Sequence, residues 1–202
     1  FGTNPIAIAI PAEGGRVFSL DMSTSVVTRG KIEVCEREGE PLPAGWAVDT
    51  KGNVTTDAAA LLEDMLFQRG GGILPLGGEG ELFGGHKGYG LATMVDIMTA
   101  ITSGGVFGKS VKDSEQTSAR VCHFFGAIRL DLFRDPQELK RDLGLLLQQL
   151  NETRLAEGAS RVYYAGQKER ESEEACKTLG VPLSEKVYEQ LVTIGEDLGI
   201  VL

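Results

Sequence analysis

Apolar and polar positions alternate from Val17 to Met22. Phe18, Leu20 and Met22 fall on one side, and Val17, Ser19 and Asp21 on the other, a period of two that predicts a strand. Just before it, the apolar run Ile6 to Ile10 reads as a buried strand, opened by the Asn4-Pro5 turn and closed by Pro11 and the Glu13-Gly14-Gly15 turn. The two strands stand at hairpin distance. Asp21 therefore lies at the carboxyl end of the second strand, facing away from the large apolar side chains.

The period then changes. Thr24 to Glu38 is helix-like, and Pro41 and Pro43 begin a loop around Trp46, Asp49 and Gly52. Asp57 is placed to cap a helix running to Leu66, after which the chain is glycine-rich from Gly70 to Gly90. Such a stretch is either a mobile loop or a place where backbone approaches a ligand closely. The segment Tyr89 to Ile101 decides between them, because Leu91, Ala92, Met94, Val95, Ile97, Met98, Ala100 and Ile101 surround it and predict a buried helix. A glycine loop that feeds a buried helix is anchored.

Ala127 to Phe133 alternates like a half-buried strand, and Leu139, Leu143, Leu146, Leu147 and Leu150 make one face of an amphipathic helix. Arg161 to Ala165 reads as a short strand, and Val187, Leu191, Ile194 and Leu198 as the apolar stripe of a last helix. Hairpin-spaced strands with intervening helices predict an α/β fold with a mixed β-sheet flanked by helices, in a single domain over residues 1–202.

Composition narrows the function. The chain is 42% hydrophobic, enough for a true core, and no apolar run reaches the roughly 20 residues of a membrane span. No membrane or nucleic-acid partner is expected, since a formal charge of −9 leaves no extended basic face. Cys35, Cys122 and Cys176 are too scattered for a zinc site or disulfide framework, which fits free thiols in a cytoplasmic protein. The chain begins at Phe1, inside a strand-like run, and is expected to be a fragment or to lack an N-terminal part.

The chemistry begins at Gly84-Gly85-His86-Lys87-Gly88-Tyr89-Gly90, at a predicted helix start. Free amides and the positive end of the helix dipole attract anions, Lys87 adds a charge, and His86 adds a donor. The competing reading is a surface turn with a solvated lysine. Asp96 bears on the choice, because a lone acid in an apolar helix requires a partner. At Asp21-Met22-Ser23-Thr24-Ser25 a carboxylate can accept from ribose hydroxyls or orient a catalytic group, while Ser23 or Thr24 can equally cap a helix.

Two glycine patterns fail. In Gly104-Gly105-Val106-Phe107-Gly108-Lys109-Ser110 the first glycine of a P-loop is replaced by Ser103, and the segment follows a helix instead of a strand. No G-x-G-x-x-G fingerprint occurs, because Phe83 takes the third glycine position of the frame at Gly78. His123, beside Phe124 and Phe125, reads as a structural histidine.

Four motifs in order, Phe1-Gly2-Thr3-Asn4-Pro5, Asp21-Met22-Ser23-Thr24-Ser25, Gly45-Trp46-Ala47-Val48-Asp49 and Gly85-His86-Lys87-Gly88-Tyr89-Gly90-Leu91, resemble the malate/L-lactate dehydrogenase family. That family includes sulfolactate, ureidoglycolate and 2,3-diketogulonate dehydrogenases. The resemblance implies a non-Rossmann NAD(P)-binding domain of the sulfolactate-dehydrogenase type. It also implies hydride transfer between NAD or NADP and a small 2-hydroxy or 2-oxo acid, in a homodimer.

By the same resemblance Val17, Phe18, Ser19, Leu20, Asp21, Met22 and Ser23 line the cofactor, His86 and Lys87 contact it, and Ala165, Gly166 and Gln167 make a third contact. Ala165 and Gln167 stand where the family usually has proline and glutamate. Asp21 is the residue expected to orient the catalytic machinery. The family's proton-donating histidine and substrate arginine lie upstream of the segment that matches Phe1, so no residue here is assigned as the general acid. The alternative function is a non-catalytic nucleotide- or anion-binding domain.

Overall fold

The computed structural model describes residues 1–112 and 118–200. Its contacts divide the chain into two compact units. The first comprises Phe1–Ala9 and Leu20–Leu139, and the second Ile10–Ser19 and Lys140–Leu202.

The opening hairpin forms as the alternation requires. Strands β1 (Ile6–Pro11) and β2 (Val17–Met22) pair, with a 3-10 turn at Glu13–Gly15 between them. Along β2 exposure alternates, so Phe18, Leu20 and Met22 are half-buried while Val17, Ser19 and Asp21 are exposed. β1 departs from expectation. It is not a buried strand, since Ala7, Ile8, Ala9 and Pro11 are exposed and only Ile6 and Ile10 are partly covered. An apolar run shows that a segment can be buried, but burial needs a second layer over both faces.

In the first unit, helix α1 (Arg29–Glu38) starts five residues later than the expected Thr24. Thr24 and Ser25 are instead drawn into backbone bonding: the amide of Val26 donates to the Leu74 carbonyl at 2.9 Å, and Ser25 bridges to Pro75. α1 ends at Gly39, whose left-handed backbone (φ 72°) lets its amide reach Cys35 and Glu36 carbonyls. Helix α2 (Ala58–Leu66) is capped as predicted, Asp57 Oδ1 accepting from the Ala60 amide at 2.9 Å.

Val27, Ile32, Leu42, Ala47, Ala58 and Leu61 form the core between these helices and a small antiparallel sheet. That sheet has the order β4-β3-β5, from Val54–Thr55, Ala47–Val48 and Gly72–Ile73. The α/β character is as expected, but the described residues hold two small sheets in place of one mixed sheet. Two-residue strands cannot extend a ladder beyond their own neighbours.

Helix α3 (Gly85–Asp96) widens into a π-helix at Ile97–Ile101. It is not buried all round. Ala92 and Ala100 are covered, but Tyr89 is 57% and Ile97 49% exposed. An all-apolar circumference records composition, whereas burial of both faces requires packed elements on both sides.

The second unit centres on Ala12, Leu147 and Tyr164, against which Phe18 and Leu143 pack. Helix α4 (Pro136–Asn151) has Asp135 before it accepting from the amides of Gln137 and Glu138, with proline at the first helical position. Helices α5 (Gln167–Leu179) and α6 (Glu185–Leu198) follow, the latter as predicted.

Neither later strand forms. Ala127 to Phe133 becomes extended chain and a 3-10 turn at Leu130–Leu132, with Leu132 69% exposed and Arg129 paired to Asp131. Alternation marks a strand only where a neighbour offers an edge. Arg161 to Ala165 makes one ladder-like bond, Ser19 N–H to the Ala165 carbonyl at 3.1 Å, before Gly166 turns the chain into α5.

Candidate functional site

Three of the glycines between Gly77 and Gly88, namely Gly77, Gly85 and Gly88, bring backbone against backbone. Gly77, Gly78, Gly80 and Gly84 all have positive φ, so the loop coils back on itself. A methyl group on Gly85 would strike the Gly78 carbonyl oxygen, and one on Gly88 the Leu76 carbonyl oxygen. The close approach is therefore of loop backbone to helix backbone. It presses residues 76–80 onto the first turn of α3 and fixes where that turn points.

His86 and Lys87 project from this anchored turn and are exposed. Among the described residues neither makes an ion pair, and the Lys87 stem lies over Gly84. A methyl group on Gly84 would sit 3.4 Å from Lys87 Cδ. The Lys87 amide donates to Gly84 at 2.9 Å. A free ammonium, an imidazole and the positive end of a twelve-residue helix share one turn.

The same unit carries the end of β2. Asp21 is exposed, and Ser23 Oγ donates to the Ser25 carbonyl at 3.0 Å. Neither Ser23 nor Thr24 caps a helix. Thr28 precedes α1, and its side chain makes no cap bond. Thr24 is 1% exposed and turned inward, its hydroxyl donating to the carbonyls of Thr3 and Asn4 at 3.2 and 3.0 Å.

In the second unit, Ser19 and the Ala165-Gly166-Gln167 turn are brought together. Gly166 has φ 87°, and a methyl group on it would lie 2.7 Å from Ser19 Cβ. Gln167 is 2% exposed: its Oε1 accepts from the Tyr164 amide at 3.4 Å and its Nε2 donates to Glu171 at 2.9 Å. Glu171 in turn takes two bonds from Arg161, at 2.7 and 3.0 Å. The Gln167 amide and the Arg161 guanidinium hold the Glu171 carboxyl below the usual carboxylate range. Gln167 thus orders the turn from inside, while Ala165 and Gly166 are the half-exposed residues.

Asn4, Asp96 and Leu76 were not singled out as site residues from sequence. Asp96 finds its required partners in the Gly108 amide at 3.0 Å and the Asn4 side chain at 3.3 Å. Two signals bear on this contact: the partner that Asp96 requires, and Asn4 as a turn residue able to adopt positive φ, here 37°. His123 is exposed, its ring 6.0 Å from that of the likewise exposed Phe125, and the three cysteines are free. A cavity of about 250 Å³ lined by Gly104, Gly105, Val106, Arg120, Val121 and Cys122 includes none of the expected cofactor residues.

A family model described as malate/L-lactate dehydrogenase matches residues 1–192. This chain belongs to the malate/L-lactate dehydrogenase family. A malate dehydrogenase of Pyrococcus abyssi is 42% identical over 199 residues, covering 98% of this chain and 53% of the relative. A ureidoglycolate dehydrogenase (NAD(+)) of Escherichia coli K12 is 28% identical over 96% of this chain and 52% of its own length. The crystal structure of malate dehydrogenase from Entamoeba histolytica superposes with a TM-score of 0.90 at 30% identity, covering 98% of this chain and 55% of that one. The chain spans about half the length of the curated relatives it matches. Among the described residues no group of metal-ligating side chains occurs, and no helix is long and apolar enough to cross a membrane.

Proposed function

We propose that this chain carries cofactor-binding surface of an NAD(P)-dependent oxidoreductase that interconverts a small 2-hydroxy acid and its 2-oxo acid, of the malate/L-lactate type. The observation that carries the reading is the anchored start of α3. There His86 and Lys87 make no ion pair among the described residues and stand on a helix N-terminus, in a chain of the malate/L-lactate dehydrogenase family. That donor set suits a dinucleotide: an ammonium and helix amides for phosphate, an imidazole donor beside them, and hydroxyl or carboxylate oxygens at Ser23 and Asp21 for ribose.

When bound, the nicotinamide supplies or accepts the hydride. Lys87 neutralises an anionic group of the cofactor, His86 donates a hydrogen bond to it, and Asp21 accepts one or orients the reacting groups. Val17, Phe18 and Ser19, with Ala165 and Gly166, offer backbone and small side chains as a contact of their own. Gln167, buried behind them, supports that turn from inside. Leu20 and Met22 support Asp21 from the covered face of β2. The fold is read as the non-Rossmann sulfolactate-dehydrogenase type, and the protein as a cytoplasmic homodimer. No residue of the chain is assigned as the general acid that carbonyl reduction needs.

Calorimetric titration of the purified chain with NADH and NADPH, followed by an assay with oxaloacetate and pyruvate, tests this reading. Weak saturable binding without turnover is expected. Absence of binding to both cofactors would overturn it, and turnover would place the acid within the chain, with His86 the first residue to examine.

A further inference from the structure

Asn4 lies far in sequence from both segments read as cofactor contacts in the first unit, yet it ties the two together. Its backbone carbonyl accepts from the buried Thr24 hydroxyl at 3.0 Å, one residue beyond Ser23 and three beyond Asp21. Its side-chain Nδ2 donates to the Ala92 carbonyl of α3 at 2.8 Å and to Asp96 Oδ1 at 3.3 Å. The other oxygen of Asp96 accepts from the Gly108 amide at 3.0 Å, which orients the carboxylate toward Asn4.

A second tether runs in parallel. Thr24 gives its carbonyl to the Leu76 amide at 2.9 Å, and Leu76 backbone lies against Gly88 in the first turn of α3. The end of β2 is thus fixed to α3 at two heights, near Gly88 and near Ala92. One tether alone leaves rotation about the contact, and two remove it.

The geometry of Asn4 is specialised for this. At φ 37° it occupies the left-handed region, which disfavours most side-chain-bearing residues and is tolerated best by asparagine and glycine. That conformation directs the carbonyl to Thr24 and the amide to α3 at once. Simple packing of the N-terminal segment needs neither bond.

We propose that Asn4 is a positioning residue, holding Asp21 and Ser23 in fixed geometry relative to His86 and Lys87 so that one dinucleotide is met by both. The inference rests on the cofactor reading above.

The test is a double-mutant cycle in the full chain, with NADH as probe and the thermal midpoint measured for every variant. Asn4→Gly keeps the backbone conformation and removes the side-chain tether, and Lys87→Ala removes a direct contact. Each alone is expected to raise the Kd for NADH about tenfold, and the pair to cost clearly less than the product, because the tether has little left to position once the contact is gone. Thr24→Val, which keeps size but removes the hydroxyl, should raise Kd about threefold and remains available if Asn4→Gly does not fold.

If Lys87→Ala leaves Kd unchanged, the cofactor reading fails and the positioning role fails with it. If Lys87→Ala weakens binding while Asn4→Gly and Thr24→Val lower only the melting temperature, the cofactor reading stands and Asn4 is merely structural. Fully multiplicative effects of Asn4→Gly and Lys87→Ala also overturn the positioning role.

Discussion

Gly166 and Ser19 meet with no room for a side chain between them. A methyl group on Gly166 would lie 2.7 Å from Ser19 Cβ and 3.0 Å from its carbonyl oxygen, and the Ser19 amide donates to Ala165 at 3.1 Å. Gly166 also needs φ 87° to start α5 directly after that bond.

Gly166→Ala therefore meets both strain and overlap. A loss of about 2–4 kcal/mol in unfolding free energy is expected, since the neighbouring atoms include backbone that cannot rotate away. Urea unfolding of wild type and variant checks this, and an unchanged midpoint would refute the tight Ser19 contact.

Gly88→Ala and Gly90→Ala form a matched pair on α3. At Gly88 the new methyl meets Leu76 backbone, whereas at Gly90 nothing lies within 4 Å. Gly88→Ala should destabilise by about 3 kcal/mol, and Gly90→Ala should stabilise by roughly 0.5–1 kcal/mol through helix propensity. Thermal denaturation of both variants reads the difference, and similar midpoints would argue against the pressed-down loop at residues 76–80.

Asp21→Asn keeps the shape of an exposed side chain and removes its charge. The Asp21 side chain is exposed, so the melting temperature should change by no more than about 2 °C, which corresponds to a surface substitution. On the cofactor reading proposed above, affinity for NADH should fall several-fold more than stability would explain. Lost stability with unchanged binding would assign Asp21 to the hairpin alone.

Acid should loosen the start of α5. Glu171 has a lowered pKa in the folded chain, so its bonds to Gln167 and Arg161 contribute fully above the ordinary glutamate range and are lost as pH falls through that lowered value. Glu171→Gln should lower stability slightly at neutral pH, where the charged bonds are fully formed, flatten the acid limb in that window, and match wild type once Glu171 is protonated. An identical acid limb in the variant would show that Glu171 does not couple to folding.

Much of this protein was legible from local chemistry. The β1-β2 hairpin, the Asp57 cap, the amphipathic α4 and α6, and the four spaced motifs all depend on neighbours within a few residues. Periodicity and capping report such neighbours directly. Asp96 was legible only as a demand, an acid needing a partner, because sequence states the cost of burying a charge without naming the group that meets it.

The tertiary structure decided what long-range contact decides. Ala127 to Phe133 alternates yet forms no strand for want of an adjacent edge, and α3 is apolar all round yet half exposed for want of a second layer. Gly77, Gly85 and Gly88 let loop and helix backbone meet, a contact that no local pattern distinguishes from the approach of backbone to a ligand. Asn4 is the clearest case. Its turn propensity is local, but its bonds to Thr24, Ala92 and Asp96 span 20 to 92 residues, and only folding brings those partners within reach.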